Sequence, residues 1–336
     1  MSLIILDQTY PGDFASYFWL PATFGMDTVQ KKAVYVKDGI KKAHTIDRMD
    51  YSQPIQPRTA TPISGPSSFT IDGRTLTPKD MMIYSEVNPR NFETSFIAED
   101  LSPTLLSRGI PATVETYMLQ IALDRAFEQQ ETGIWQGSLS YTAIPGSAGN
   151  GQLCFFDGFL KKMVNDSAVL QVSSPLPLAA ETASGVYGVA DAFDALISLA
   201  ATNKKALLAR SKRYDRMKFF ISVATEQLYQ TWLTTGVTFK GQNTMDRGIK
   251  PYKGYTVETL AGMADNTIVF AEGIPDTSSN LYLGINSTED NALQLQRLQN
   301  NSELFFIKGL MKMDTQYGFS QEVFLFTTLT AASFNV

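Results

Sequence analysis

The stretch PATVETYMLQIALDRAFEQQETGIWQG, residues 111–137, carries the clearest single period in the chain. Val114, Tyr117, Met118 and Ile121 follow the i, i+3, i+4, i+7 spacing of a buried helical stripe. Leu119, Leu123, Ala126, Phe127 and Ile134 continue the apolar surface round the same cylinder, so the helix has more than one side to bury. Good helix formers (Ala, Leu, Glu, Gln, Met, Arg) fill the positions between. Pro111 suits a first turn, where a missing N–H costs nothing; Gly133 and Gly137 suit a helix end that wants a left-handed residue. At about 1.5 Å per residue, such a run crosses a domain from edge to edge. Taken alone, it predicts a core helix of an α+β protein.

Upstream of that helix little could form a core. Residues 1–35 read as an irregular arm in which Tyr10, Phe14, Tyr17, Phe18, Trp19 and Phe24 sit among Pro11, Gly12, Pro21 and Gly25. So many aromatics beside turn formers predict a segment that docks on something and does not fold alone. Across residues 37–68, Pro54, Pro57, Pro62 and Pro66 punctuate a polar stretch and favour extended backbone. Residues 69–88 alternate weakly as FTIDGRTL and MMIYSEVN, a strand returning towards the body, with Asp72-Gly73 as a turn signal inside it.

Downstream, residues 138–152 and 173–182 read as loops, and residues 155–164 as a short apolar-periodic piece. Val189, Phe193, Leu196, Ile197 and Ala200 have helical spacing, with Lys204, Lys205, Arg210, Lys212 and Arg213 gathered past the helix end as a solvated terminus or interface strip. MKFFISV, residues 217–223, reads as a buried strand, and Ser222 or Thr225 as the cap of the following helix. Short strands are expected at residues 255–260, 267–271 and 281–284. From Leu293 onward, LQLQRL, ELFFIKG, MKMDTQYG and EVFLFTTL read as four successive strands.

Composition narrows the function. With 336 residues, 44% apolar and 11% aromatic, the chain supplies ample core, and its length favours two packed subdomains. A net charge of −5 gives no field for wrapping nucleic acid, which argues against sequence-specific DNA binding. Residues 1–6 are too short and lack the basic flank for a secretory or membrane-spanning segment, so a soluble, unexported protein is expected. The one cysteine, Cys154, has no partner for a disulfide or a zinc site, which fits a reducing cytoplasm. Cys154 reads as a small buried hydrophobe, and the one imidazole, His44, as a surface residue. Phosphate-loop, dinucleotide, HExxH, GxSxG and calcium-loop patterns are absent. The adjacent acids Glu99-Asp100 and Glu289-Asp290 read as solvated caps. No catalytic residue, cofactor or metal is expected, which leaves a structural or binding protein as the reading.

The order of elements then resembles the Hong Kong 97-type major capsid protein of tailed bacteriophages. The matching text is NPRNFETSF at residues 88–96, GIWQG closing the long helix, MKFFISVATEQLYQTWL at residues 217–233, and the strand block running from GYTV at residues 254–257 to NLYLG at residues 280–284. The resemblance implies an α+β capsid fold: an N-terminal arm at residues 1–36, an extended loop at 37–95, and a peripheral domain at 96–185 with its spine helix at 111–137. It further implies an axial domain at 186–289 and closing strands of the peripheral domain at 290–336. The implied function is a virion shell subunit, assembled in the bacterial host cytoplasm, that closes into an icosahedral head round double-stranded DNA. Its implied partners are copies of itself in pentamers and hexamers, a separate scaffolding protein, a portal, a decoration protein and non-specifically contacted DNA, with no membrane. Arg58, Arg74, Lys79 and Arg90 are the candidate contacts with acids of an adjacent subunit, against solvated surface charge as the plain alternative. An encapsulin-like compartment is the runner-up. A sheet-rich carbohydrate-binding or hydrolytic protein, with Trp19, Trp135 and Trp232 as sugar platforms, is the third reading.

Overall fold

The computed structural model describes residues 26–51, 55, 57–58, 60–61, 69–88, 112–142, 150–202, 216–234, 251–287, 294–297 and 305–335. In chain order the elements are α1 (Asp27–Gln30), β1 (Tyr35–Lys37), β2 (His44–Tyr51), β3 (Phe69–Leu76), β4 (Lys79–Val87), α2 (Ala112–Gln136), α3 (Phe159–Asn165), β5 (Leu170–Gln171), β6 (Leu178–Ala179), β7 (Tyr187–Gly188) and α4 (Val189–Thr202). They continue with β8 (Met217–Ile221), α5 (Val223–Thr234), β9 (Thr256–Thr259), β10 (Thr267–Glu272), β11 (Leu281–Ile285), β12 (Gln294–Arg297), β13 (Phe305–Tyr317) and β14 (Phe324–Thr327).

The central sheet has the order β5-β14-β10-β8-β9. Its middle strands β14, β10 and β8 are short and mostly apolar because both faces are covered, whereas the edge strands β5 and β9 carry Gln171, Thr256 and Glu258. Phe220, Val269, Ala271 and Leu325 point into one core with Trp135 of α2 and Phe159, Leu160 and Met163 of α3. The alternate residues Phe219, Ile221, Ile268, Phe270, Phe324 and Phe326 point into a second core with Phe193 and Leu196 of α4 and Tyr229 and Leu233 of α5. Side chains of successive strand residues leave on opposite faces, so a strand between two layers must be apolar throughout. Ser222 caps α5: its Oγ accepts the Thr225 N–H at 3.2 Å.

A second sheet runs β1-β11-β13-β12, with β4 paired to the other side of β13. The long strand β13 lies antiparallel to β4 from Phe305↔Val87 to Met313↔Lys79. ELFFIKG and MKMDTQYG are thus one strand of 13 residues. Gly309 and Leu310, which interrupt the alternation in sequence, stay in register opposite Ile83 and Met82. β2 and β3 form a separate antiparallel pair, His44↔Leu76 to Tyr51↔Phe69, with the proline-bearing segment between them.

Sheet membership crosses the segment limits expected from sequence. β11, within residues 186–289, pairs with β13, while β14, within residues 290–336, enters the central sheet between β5 and β10.

Three glycines do a different job from the one their neighbours in sequence suggest. Asp72-Gly73 makes no turn and stays in β3, where a Cβ on Gly73 would stand 2.4 Å from Thr45 Cγ2 across the hairpin. The helix continues through Gly133, and neither Gly133 nor Gly137 has a positive φ. A Cβ on Gly133 would meet the Phe155 ring at 2.2 Å, and one on Gly137 would meet the Gly133 and Phe156 carbonyl oxygens at 2.6 Å. Close approach, not left-handed backbone, is what these positions require.

Candidate functional site

The β2–β3 hairpin has two unlike faces. Its even-numbered side turns towards the body: Ile46 and Leu76 pack with Ile40 and Tyr282. Beyond them the two arginines reach across. Arg74 pairs with Asp166, donates to Ser320 Oγ at 2.6 Å, and lies over the Tyr317 ring at 4.4 Å. Arg48 pairs with Asp72, donates to the Gly318 carbonyl at 2.9 Å, and stands 5.7 Å from the Phe319 ring centroid. At the hairpin's foot the Thr77 N–H donates to Asp314 Oδ2 at 2.7 Å, and Lys162 pairs with Asp314 Oδ1 at 2.8 Å. Burial would raise the Asp166 carboxyl. The hydrogen bonds it accepts from Arg74, the Ala168 amide and the Tyr317 hydroxyl outweigh that and hold it at about 2. Burial is likewise the main reason the Tyr317 hydroxyl is pushed up.

The odd-numbered side of the hairpin carries Met49 and Ile71 directly opposite one another, 62% and 68% exposed. A second bare apolar patch lies on the face of β4 and β13 that carries Met82 and Tyr84. There Met82 and Leu310 are register partners at 58% and 55% exposure, and Tyr84 stacks on Phe306 with ring centroids 6.1 Å apart. The patch is rimmed by the Asp80–Lys312 pair at 3.0 Å and by Tyr84 donating to Glu86 at 2.6 Å. Residues on the other face, Ile307 among them, pack against Leu119 of α2. Large apolar side chains left bare on two sheet faces are a surface awaiting a cover.

The arginines and lysine singled out from sequence are scattered. Arg58 is exposed in the segment between β2 and β3, Arg74 is engaged within its own chain, Lys79 is exposed at the start of β4, and Arg90 lies outside the described residues. The apolar pairs Met49–Ile71 and Met82–Leu310 escaped sequence reading, because alternation looks the same for a covered and an uncovered strand face.

The remaining candidates for chemistry have structural settings. His44 is exposed at the start of β2, and Cys154 is half-buried, its Sγ 3.8 Å from the Leu139 carbonyl. Trp135 is fully buried, its Nε1–H donating to Thr28 Oγ1 at 2.8 Å, so it is no sugar platform. Trp232 is half-buried and stacks on Tyr229 at 5.8 Å, and Trp19 lies outside the described residues. Thr28 also ties the segment before β1 to α2: its hydroxyl and amide donate to Glu131 at 2.6 and 3.2 Å. Burial pushes the Glu131 carboxyl up, and the two bonds from Thr28 only partly offset it. Among the described residues no group of three or more His, Cys, Asp or Glu could hold a metal, and no helix is long and apolar enough to cross a membrane.

Solved structures match this arrangement of sheets, hairpin and long helix over most of its length. The capsid of an empty GTA particle, computed with C5 symmetry, superposes with a TM-score of 0.54 at 12% identity over 90% of both chains. The capsid of Myoviridae phage XM1 gives 0.53 at 10% identity over 90% of this chain and 92% of that one. The chain has the Hong Kong 97-type capsid fold. Microbacterium phage Oxtober96 gives 0.50 at 10% identity, over 88% of this chain and 89% of that one. No protein-family model matches the sequence, and no curated protein matches it. Identities this low carry the capsid fold and leave function to be argued from the surfaces that the fold presents.

Proposed function

We propose that this chain is a major capsid protein, the subunit of an icosahedral head that encloses phage double-stranded DNA. The observation that carries the reading is the capsid fold matched over nine-tenths of this chain and of both best-superposing structures named above. The bare apolar pairs give it a physical motive: Met49–Ile71 and Met82–Leu310 are covered by sister subunits, and association is the activity. One protomer supplies rings of five and six, and the C5 symmetry of the GTA capsid supports the five-fold ring. The protein is no enzyme on this reading. An encapsulin-like compartment is not favoured, because the matches with the higher TM-scores are phage and GTA capsids.

In this assignment residues 1–36 are the arm, 37–95 the extended loop, 96–185 and 290–336 the peripheral domain with α2 as its spine, and 186–289 the axial domain. The loop's bare face rests on a neighbour, with Arg58, Lys79 and Arg90 as the rim charges. A scaffolding protein, a portal and a decoration protein complete the particle, which forms in the host cytoplasm. The packaged DNA is contacted non-specifically, as suits a subunit of net charge −5.

Negative-stain electron microscopy of the purified protein, alone and co-expressed with its neighbouring genes, is the test. Closed shells, or rings of five and six, are expected. A monodisperse monomer at every concentration and in both preparations overturns the proposal.

A further inference from the structure

β4 is an outer strand of its sheet: it pairs with β13 on one side and with no other strand among the described residues. The other outer strands of the two larger sheets, β1, β12, β5 and β9, run for two to four residues, whereas β4 runs for nine. Its register with β13 is unbroken from Phe305↔Val87 to Met313↔Lys79, so it has no bulge, and KDMMIYSEV contains no proline or glycine. On the far side its backbone makes no hydrogen bond among the described residues. Lys79, Asp80, Met82, Tyr84, Ser85 and Glu86 are exposed. Proteins that keep a sheet edge to themselves shorten it, bend it or interrupt it with proline. β4 does none of these, and the row of N–H and C=O groups it presents is complementary to another extended strand.

The chemistry of β4 selects a second copy of itself. Asp80 is already paired with Lys312 at 3.0 Å, which leaves Lys79 and Glu86 as opposite charges at opposite ends of the strand. Antiparallel self-pairing brings the basic end of each copy beside the acidic end of the other. A two-fold axis perpendicular to the sheet keeps every side chain on its own face, so residues directly opposite are both even or both odd. With the axis at Ile83, Asp80 faces the partner's Glu86, two carboxylates directly opposite. With the axis at Tyr84, Met82 faces the partner's Glu86, an apolar side chain against a charge. With the axis at Met82, Met82 faces the partner's Met82, Met81 the partner's Ile83 and Lys79 the partner's Ser85. Glu86 then falls opposite Pro78, whose missing N–H ends the ladder.

We propose that two copies of this chain join through β4, residues 79–85 of each lying antiparallel about a two-fold axis at Met82, so that two sheets become one. The contact is isologous, unlike the heterologous contacts that close a ring of five or six. It needs only two copies and does not rest on the capsid reading. Met82, 58% exposed in the single chain, is the side chain that it packs against its own counterpart.

Cys154→Ser removes the sole cysteine. On that background full-length Met82→Cys protein is oxidised mildly, with Tyr84→Cys as control, and the bonds are mapped by mass spectrometry. Directly opposite residues stand about 5 Å apart at Cβ, within reach of a disulfide. Tyr84 and the partner's Tyr84 are offset along the strands by about 13 Å, which is out of reach. The linked Met82→Cys dimer is expected to exceed the Tyr84→Cys dimer at least about tenfold, and mixed Asp80→Cys and Tyr84→Cys proteins to link to each other. In the otherwise unaltered chain, Met82→Lys sets two like charges face to face on the axis. Sedimentation should then show the dimer weakened at least about tenfold, with the parent circular-dichroism spectrum retained. Three results overturn the proposal: equal linking at positions 82 and 84, linking of position 82 to a different protein or to nothing, or unchanged association of a folded Met82→Lys chain. A dimer linked at position 82 in a protein that never builds shells leaves this contact standing and removes the capsid reading; shells without that link do the reverse.

Discussion

Asp166 stands where the hairpin meets the body and receives hydrogen bonds from Arg74, from Tyr317 at 2.9 Å and from the Ala168 amide at 2.9 Å. A carboxyl held at about 2 in the folded chain titrates near 3.9 when unfolded. Its contribution is complete above pH 4 and lost as the pH falls through 2. The site is partly open to water, so about 1 kcal/mol is expected at pH 7. Asp166→Asn should lower stability by that amount in urea titrations at pH 7, and the gap between variant and parent should close between pH 4 and pH 2. A gap that is flat with pH would mean the ionised form is not what Arg74 and Tyr317 stabilise. Gly137 presents a steric case at the same scale. Backbone oxygens at 2.6 Å leave a methyl group no flexible neighbour to displace, so Gly137→Ala should cost about 2–3 kcal/mol. A loss below about 0.5 kcal/mol in thermal unfolding would show that α2 and the Phe156 segment can part.

Among the elements, the hairpin and α2 differ in how openly the sequence declares them. The period of residues 111–137 announces α2, which runs from Ala112 to Gln136, because a long helix repeats one signal many times. The four prolines of residues 52–68 likewise mark the segment joining β2 to β3. What the hairpin's two faces do is not written locally. Met49 and Ile71 alternate with Arg48, Asp72 and Arg74 as any half-buried strand would, and they stay bare because no layer among the described residues packs over them. Gly73 was ambiguous for a similar reason: Asp-Gly favours a turn in isolation, whereas contact with Thr45 across the pair demands a residue without a side chain. Ile71→Asp separates the two roles of this element. The melting temperature should change by less than about 2 °C, since the side chain is exposed, while the yield of closed particles should drop at least about tenfold. Normal particle yield would show that this face of the hairpin lies outside the assembly contacts.

At the scale of the whole molecule, the sequence supplies the strands of the central sheet but not their order. Residues 217–221, 267–272 and 324–327 are each mostly apolar on both sides of the strand, which says only that both faces are covered. That β14 lies between β5 and β10 rests on pairings between residues 154 and 60 positions apart, Phe324↔Leu170 and Thr327↔Thr267, which no local pattern encodes. Like β8 and β10, this strand feeds both cores, Leu325 in the first and Phe324 and Phe326 in the second. A chain stopped after residue 322 should therefore lose both at once: no cooperative thermal transition, and rapid cleavage by protease within residues 150–290. A sharp transition in that truncated chain would mean that the sheet closes without β14.

The position of β14 also acts as a clock. Ribosomes make residues 324–327 after every partner they join, so a nascent polypeptide cannot lock its middle layer until those four residues have emerged. Polysomes crowd many unfinished chains together, and sticky hairpins protruding from them would invite premature clumping. Tying closure of the layer to the last-made of its strands holds back the folded surface until all five are available.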